Sequence, residues 1–247
     1  MRQIEHPWSI EDEWFAFGAE TVCGVDEAGA GPLMGPVYAA AVILPPHLLI
    51  DGLNDSKKLT EKRRDALYDI IVDKAVAWSV ARVEAAEIDA TDILSARMKA
   101  MQLAIDGLSV RPDMALIDGN RDKGKSAHIT TPHMCVVGGD GKSESIAAAS
   151  ILAKVSRDRY VTEVLDKKYP QYQFARHKGY GTKLHYAMLD QYGPCPEHRM
   201  TFLKKWEAKR CAGSAAPGAR PKWRRICAKR AIHCWPTATA AALGRST

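Results

Sequence analysis

Residues 21–44 read TVCGVDEAGAGPLMGPVYAAAVIL. Thr21–Asp26 is a short apolar run that ends in two acids, Asp26 and Glu27. The turn Gly29-Ala30-Gly31-Pro32 follows, and after Gly35-Pro36 a second apolar run occupies Val37–Leu44. Two β-like runs joined by a Gly/Pro segment predict a hairpin-type pairing. The same arrangement recurs further on. Met114–Ile117 is a short buried strand that leads into Asp118-Gly119-Asn120, and Met134–Val137 leads into Gly138-Gly139-Asp140-Gly141.

The segments between these strands have helical character. In Thr60–Lys74 the residues Ala66, Leu67, Ile70 and Ile71 are expected to share one face. Val76–Val83 alternates like a strand, and Ala86–Leu108 reads as one helix. Ser143–Leu165 is a long helix whose first part, Ile146–Ala153, is rich in small residues that let it approach a sheet closely. Leu184–Gln191 and Glu197–Lys209 complete a helical C-terminal part. Interleaved helices and strands predict an α/β fold with a central mixed sheet flanked by helices.

Charge divides the chain. Its 247 residues carry a net charge of +6. Residues 211–247 hold seven basic groups (Arg220, Lys222, Arg224, Arg225, Lys229, Arg230 and Arg245) and no acid. Without them, residues 1–210 have 28 Lys+Arg against 29 Asp+Glu, a net of −1. The expected organisation is a lead-in over 1–20, a catalytic domain over 21–210 and a basic, disordered tail over 211–247. The six cysteines are scattered, with no paired spacing, which suits free thiols in a reducing compartment. The acidic N-terminus has no apolar core of a secretory signal, and Val37–Pro46 is too short to span a bilayer. A cytoplasmic protein with no membrane partner is expected.

Three strand-like segments therefore end in acids, each followed by small residues. One such acid is more often a turn residue or a helix cap than a ligand. Gathered together, four carboxylates repel one another unless a cation neutralises them. Mg²⁺ and Mn²⁺ prefer such oxygen donors, and two of them can clamp the attacking and leaving oxygens of a phosphodiester. Spacing alone leaves open whether the acids meet. A nuclease or strand-transfer enzyme acting on DNA, an inactive nucleic-acid-binding module and purely structural acids are the other readings.

The motifs resemble those of the ribonuclease HII family. The match runs through Cys23–Val37, Leu53-Asn54-Asp55-Ser56-Lys57-Lys58-Leu59, Leu116–Asn120, Gly139-Asp140, SIAAASILAKVSRD over Ser145–Asp158, and His177–Thr182. It covers about residues 20 to 205. The resemblance implies a ribonuclease H-like fold and a monomer that cuts the RNA strand of RNA–DNA hybrids. It also implies incision 5′ to ribonucleotides embedded in duplex DNA, leaving 5′-phosphate and 3′-hydroxyl ends.

By the same resemblance Asp26, Glu27, Asp118 and Asp140 hold Mn²⁺ or Mg²⁺. Gly29-Ala30-Gly31 reads the ribose 2′-hydroxyl through its main chain, and Tyr180 packs on the sugar. Lys57 lies near backbone phosphate, and Ser150 and Lys154 face the cleft. Two departures stand out. Ala30 replaces the usual arginine between the glycines, and Gly138 replaces a lysine common before Gly-Asp. Each removes a positive charge, for which the tail is expected to compensate.

Overall fold

The computed structural model describes residues 4–54, 56 and 59–213. Residues Met1–Leu203 form one unit, and Lys204–Thr247 a second. The basic tail, with Lys57 and Lys58, lies outside the described residues except for the end of the last helix.

Five strands form one mixed sheet in the order β3-β2-β1-β4-β5. They are β1 (Val22–Ala28), β2 (Val37–Ile43), β3 (Ala77–Val83), β4 (Met114–Asp118) and β5 (His133–Val136). The expected hairpin is the antiparallel β1/β2 pair, with Asp26 opposite Ala40. β2 pairs antiparallel with β3, whereas β1/β4 and β4/β5 are parallel.

Side chains alternate across the sheet with period two, and the two faces bury different helices. Val37, Ala39, Ala41 and Ile43 of β2 pack with Cys23 and Val25 of β1 against Met98, Met101 and Ile105 of α4 (Ile93–Asp106). Ala40 and Val42 pack on the other face against Ala147–Ala153 of α5 (Glu144–Tyr160), with Leu67 and Ile71 of α2 (Glu61–Lys74) behind. Gly24 lets α5 approach that face. A Cβ there would collide with the main chain of Ser145 and Ile146.

Several local expectations change. Within residues 1–20 a helix forms, α1 (Ser9–Ala16), and Trp8 just before it is buried. Glu11 of α1 accepts a hydrogen bond from Ser143 Oγ at 2.6 Å, which ties α1 to the start of α5. In α2 only Leu67 and Ile71, one turn apart, are buried. Ala66 and Ile70 are exposed, because residues one position away point about 100° round the helix. The single helix expected over 86–108 is two, α3 (Ala85–Ala90) and α4. Thr91 leaves helical geometry, and Asp92 caps α4 by accepting from Ser95 N at 3.0 Å. The helix expected to reach Leu165 is regular to Tyr160 and then widens into a π turn over Val161–Leu165. The short helices α6 (Asp166–Lys168), α7 (Phe174–His177) and α8 (Lys183–Tyr192) follow, then α9 (Met200–Gly213). No helix among the described residues is long and apolar enough to cross a membrane.

Candidate active site

Parallel register brings two of the acids together. Val25 pairs with Ile117, so Asp26 and Asp118 leave adjacent strands at the same level. Both have the parity of the α5 face. Asp140 arrives from the tight turn Gly139–Gly141 after β5. The turn is anchored to the site, since Gly139 N donates to Asp118 Oδ1 at 2.7 Å. One carboxylate oxygen from each of Asp26, Asp118 and Asp140 lies within 4.8 Å of the others.

Glu27 stands outside that trio for a reason of pleat. As the neighbour of Asp26 it has the opposite parity and turns toward α4, where Arg97 Nη2 donates to its Oε1 at 2.7 Å. The alternation that unites Asp26 with Asp118 thus divides Asp26 from Glu27. Glu27 still lines the same cleft.

The electrostatics show crowding. Burial, then the charges of Glu27 and Asp118, hold the Asp26 carboxyl well above the usual carboxylate range. The Ser150 hydroxyl and the Glu27 main-chain N–H oppose this, the latter at 2.6 Å from Asp26 Oδ1. Three buried or half-buried carboxylates at this separation are a poor arrangement without a cation and a good one with it. All the donors are hard oxygens, a set that fits Mg²⁺ or Mn²⁺.

Asp26, Glu27 and Asp118 line a cleft of about 200 Å³. Gly29, Ala30 and Gly31 make one wall, and Ser150, Lys154 and Tyr180 line it from other elements. The Tyr180 ring lies beside Gly31, 4.0 Å from where a Cβ would stand, and remains 43% exposed. Lys154 Nζ is held 2.8 Å from Asp158 Oδ2 and lies 5.8 Å from the Tyr180 ring centroid. Thus Gly29, Ala30, Gly31, Ser150, Lys154 and Tyr180 all reach the cleft with Asp26, Glu27 and Asp118, and Asp140 joins through the carboxylate trio. Lys57 lies outside the described residues. Gly138 sits at φ 64°, a left-handed geometry that favours glycine over the lysine expected there.

A family model for ribonuclease HII matches residues 23–208. The ribonuclease HII of Caldicellulosiruptor bescii is 48% identical over 204 residues, covering 83% of this chain and 97% of its own. That of Aliivibrio salmonicida is 56% identical over 185 residues, 75% of this chain and 87% of its own. The chain belongs to the ribonuclease HII family. Its fold agrees with the crystal structure of ribonuclease H2 from Pyrococcus horikoshii, with a TM-score of 0.63 and 26% identity over 76% of this chain and 98% of that one.

Sequence reasoning missed four residues that shape this site. Ser56 lies in the cleft, with its Oγ 2.8 Å from Ser150 Oγ. Arg97 pairs with Glu27. Arg157 and Arg199 are fully buried; the Arg199 guanidinium holds the glycine turn from behind, and that of Arg157 holds the segment that follows it. Arg199 donates to the carbonyls of Gly29, Ala30, Pro32 and Gly35 at 2.7–3.0 Å. Arg157 donates to those of Met34, Pro36 and Lys178 at 3.1–3.2 Å. Gly29 has φ 91°, and a Cβ there would strike the Arg157 side chain. Arg157 sits among Lys154, Asp158 and Arg159, so nothing in its neighbours marks it as the one that is buried.

Proposed function

We propose that the cleft hydrolyses the phosphodiester on the 5′ side of a ribonucleotide, leaving 5′-phosphate and 3′-hydroxyl ends. As a ribonuclease HII, the chain is a metal-dependent endonuclease that hydrolyses RNA in RNA–DNA hybrids. Incision at a single ribonucleotide within duplex DNA is the finer reading. The observation that carries it is the convergence of Asp26, Asp118 and Asp140 at the foot of a cleft walled by Gly29–Gly31 and Tyr180.

Asp26, Glu27, Asp118 and Asp140 would hold Mg²⁺ or Mn²⁺. Bound there, such ions supply a nucleophilic water at neutral pH and neutralise charge on the leaving oxygen. The protein's own part is positional. The glycine turn has no side chain beyond the Ala30 methyl, so a ribose can come up against its main chain. The 2′-hydroxyl is both donor and acceptor, and separates ribose from deoxyribose at that contact. Tyr180 offers a ring face to the sugar and fixes its position without reading the base. Lys154, and Lys57 on the segment outside the described residues, supply positive charge toward backbone phosphate. Ser150 steadies Asp26. The chain acts as a monomer, with residues 211–247 adding salt-sensitive attraction to the duplex.

The test is cleavage of a DNA duplex carrying one internal ribonucleotide, with Mg²⁺ or Mn²⁺, beside Asp118→Asn. Incision on the 5′ side of the ribonucleotide, abolished in the variant, is expected. Incision of an all-DNA duplex at a comparable rate would overturn the reading.

A further inference from the structure

Buried behind Tyr180 is a chain of imidazoles whose proton positions follow from their partners. His198 Nδ1 faces two donors of Cys195, the main-chain N–H at 2.9 Å and the thiol at 3.1 Å. Burial pushes that thiol up to about 12, so it keeps its proton. Nδ1 of His198 is therefore an acceptor, and the ring proton is on Nε2. His198 Nε2 lies 3.0 Å from His185 Nε2. The His198 N–H donates, so His185 accepts there and carries its own proton on Nδ1. His185 Nδ1 in turn donates to the Tyr180 carbonyl at 3.0 Å. One continuous hydrogen-bonded line thus runs from Cys195 to the main chain of Tyr180. Phe174 and Tyr172 pack round the rings, and both histidines are buried.

The next residue works on the other wall. Arg199 satisfies the carbonyls of Gly29, Ala30, Pro32 and Gly35, and its own main-chain N–H donates to Leu33 O at 2.9 Å. Leu33 N donates to Gly179 O at 2.9 Å, which links the two walls directly. Two adjacent residues thus reach in two directions, one to the glycine turn and one to the tyrosine. Neither lines the cleft.

We propose that His198 and Arg199 form a positioning clamp that sets the spacing between the Gly29–Gly31 turn and Tyr180, and so sets the preference for ribose over deoxyribose. The inference rests on the reading that these two walls contact the sugar. A buried network in which every donor and acceptor is matched admits one geometry. A small shift of these walls leaves the carboxylates in place, since they are anchored by β1, β4 and the Gly139 turn. It matters at a wall that must distinguish a hydroxyl from a hydrogen.

The experiment measures dissociation constants of the full chain, without divalent metal, for two duplexes identical except for one 2′-hydroxyl. Wild type, His198→Phe, His198→Gln and Arg199→Lys are compared. Phenylalanine fills the space without donating. Glutamine places an amide nitrogen near the Nε2 position and can restore the donation. Lysine keeps the charge of Arg199 but lacks the fork that spans four carbonyls. Wild type is expected to bind the ribonucleotide duplex more tightly. His198→Phe and Arg199→Lys are expected to bring that ratio at least fivefold closer to one, with His198→Gln recovering most of it. Mn²⁺ affinity by calorimetry is expected to change less than twofold throughout. A wild-type ratio of one would sink the reading of the walls. A wild-type preference retained by both disruptive variants would sink the clamp alone. Hydrogen exchange of the wild type decides the matter if those variants do not fold. The clamp requires that residues 29–35, 178–182 and 195–199 open together, and independent opening overturns it.

Discussion

Arg97 Nη2 donates to Glu27 Oε1 at 2.7 Å across the sheet face opposite the one that carries Ser150. A fixed monocation therefore stands at the edge of the carboxylate group, drawing Glu27 toward α4 and away from the three aspartates. Its field opposes entry of a second divalent ion, and at short range such a repulsion reaches on the order of 1–2 kcal/mol even under strong screening. Replacing Arg97 with glutamine is expected to tighten Mn²⁺ binding by about tenfold, the same energy expressed as a ratio. Calorimetric titration of the two proteins reads this directly. Weaker binding in Arg97→Gln would mean that the arginine orients Glu27 for the metal instead of competing with it.

The approach of α5 to the sheet is set at Gly24. Its missing side chain admits the Ser145–Ile146 main chain, and the run Ala147-Ala148-Ala149 continues the same close contact. A methyl group at this position meets backbone, which cannot swing aside as a flexible side chain can. Gly24→Ala is expected to lower stability by at least about 1–3 kcal/mol, the range for overpacked cores. It should also move Asp26, two residues on, relative to Ser150. Urea unfolding measures the first effect and cleavage rate the second. A variant as stable as wild type would show that the helix can retreat.

What the amino-acid order made legible was whatever rests on short-range pattern. The acids at strand ends, the Gly/Pro turn and the small residues of α5 are all local; the strand order is set by long-range pairing and was read only as a mixed sheet. The opposite orientations of Asp26 and Glu27 follow from pleat, yet their partners do not. Arg97 meets Glu27 only because α4 crosses the sheet at that height. The break between α3 and α4 had a local sign, the Asp92–Ser95 cap, hidden within continuous apolar spacing. Arg199 was out of reach for another reason. Its acceptors are main-chain carbonyls 164–170 residues away, which have no side-chain identity to read.

Buried histidines give the fold a pH limit. Burial, and then the charge of His177, lower His185 to about 4; burial, and then the charge of His185, lower His198 to about 3. In the unfolded chain both titrate near 6.5. Their contribution to stability is therefore complete above about pH 6.5 and is lost as pH falls below it. The loss is at most about 1.4 kcal/mol per pH unit for each histidine. Glu144 acts in the opposite sense. Burial raises it to about 7, so the folded state takes up its proton first and gains stability as pH falls from 7 to 4.5. Glu144→Gln is expected to steepen the loss between pH 6.5 and 4.5, and His198→Gln to flatten it. Chemical denaturation across that range measures both. Parallel curves for the three proteins would contradict the assignment.

Ala30 is the remaining departure with a direct consequence. Its carbonyl is held by Arg199 Nη1 at 3.0 Å, so the main chain of the turn is fixed whatever side chain it bears. The side chain itself lines the cleft. An arginine there adds a cation to the wall that the proposed reading sets against the substrate backbone, without disturbing the carbonyl contacts behind it. Ala30→Arg is expected to lower KM and to add about one unit to the slope of log affinity against log salt concentration, the signature of one more neutralised phosphate. Mn²⁺ affinity should stay within twofold, because the carboxylates are supported by other elements. The same salt series on a chain ending at residue 210 separates this effect from the tail, whose seven cations should add several units if they engage the duplex. If Ala30→Arg leaves both KM and the salt slope at wild-type values, the lost arginine was not a phosphate contact in this enzyme, and its absence needs no compensation.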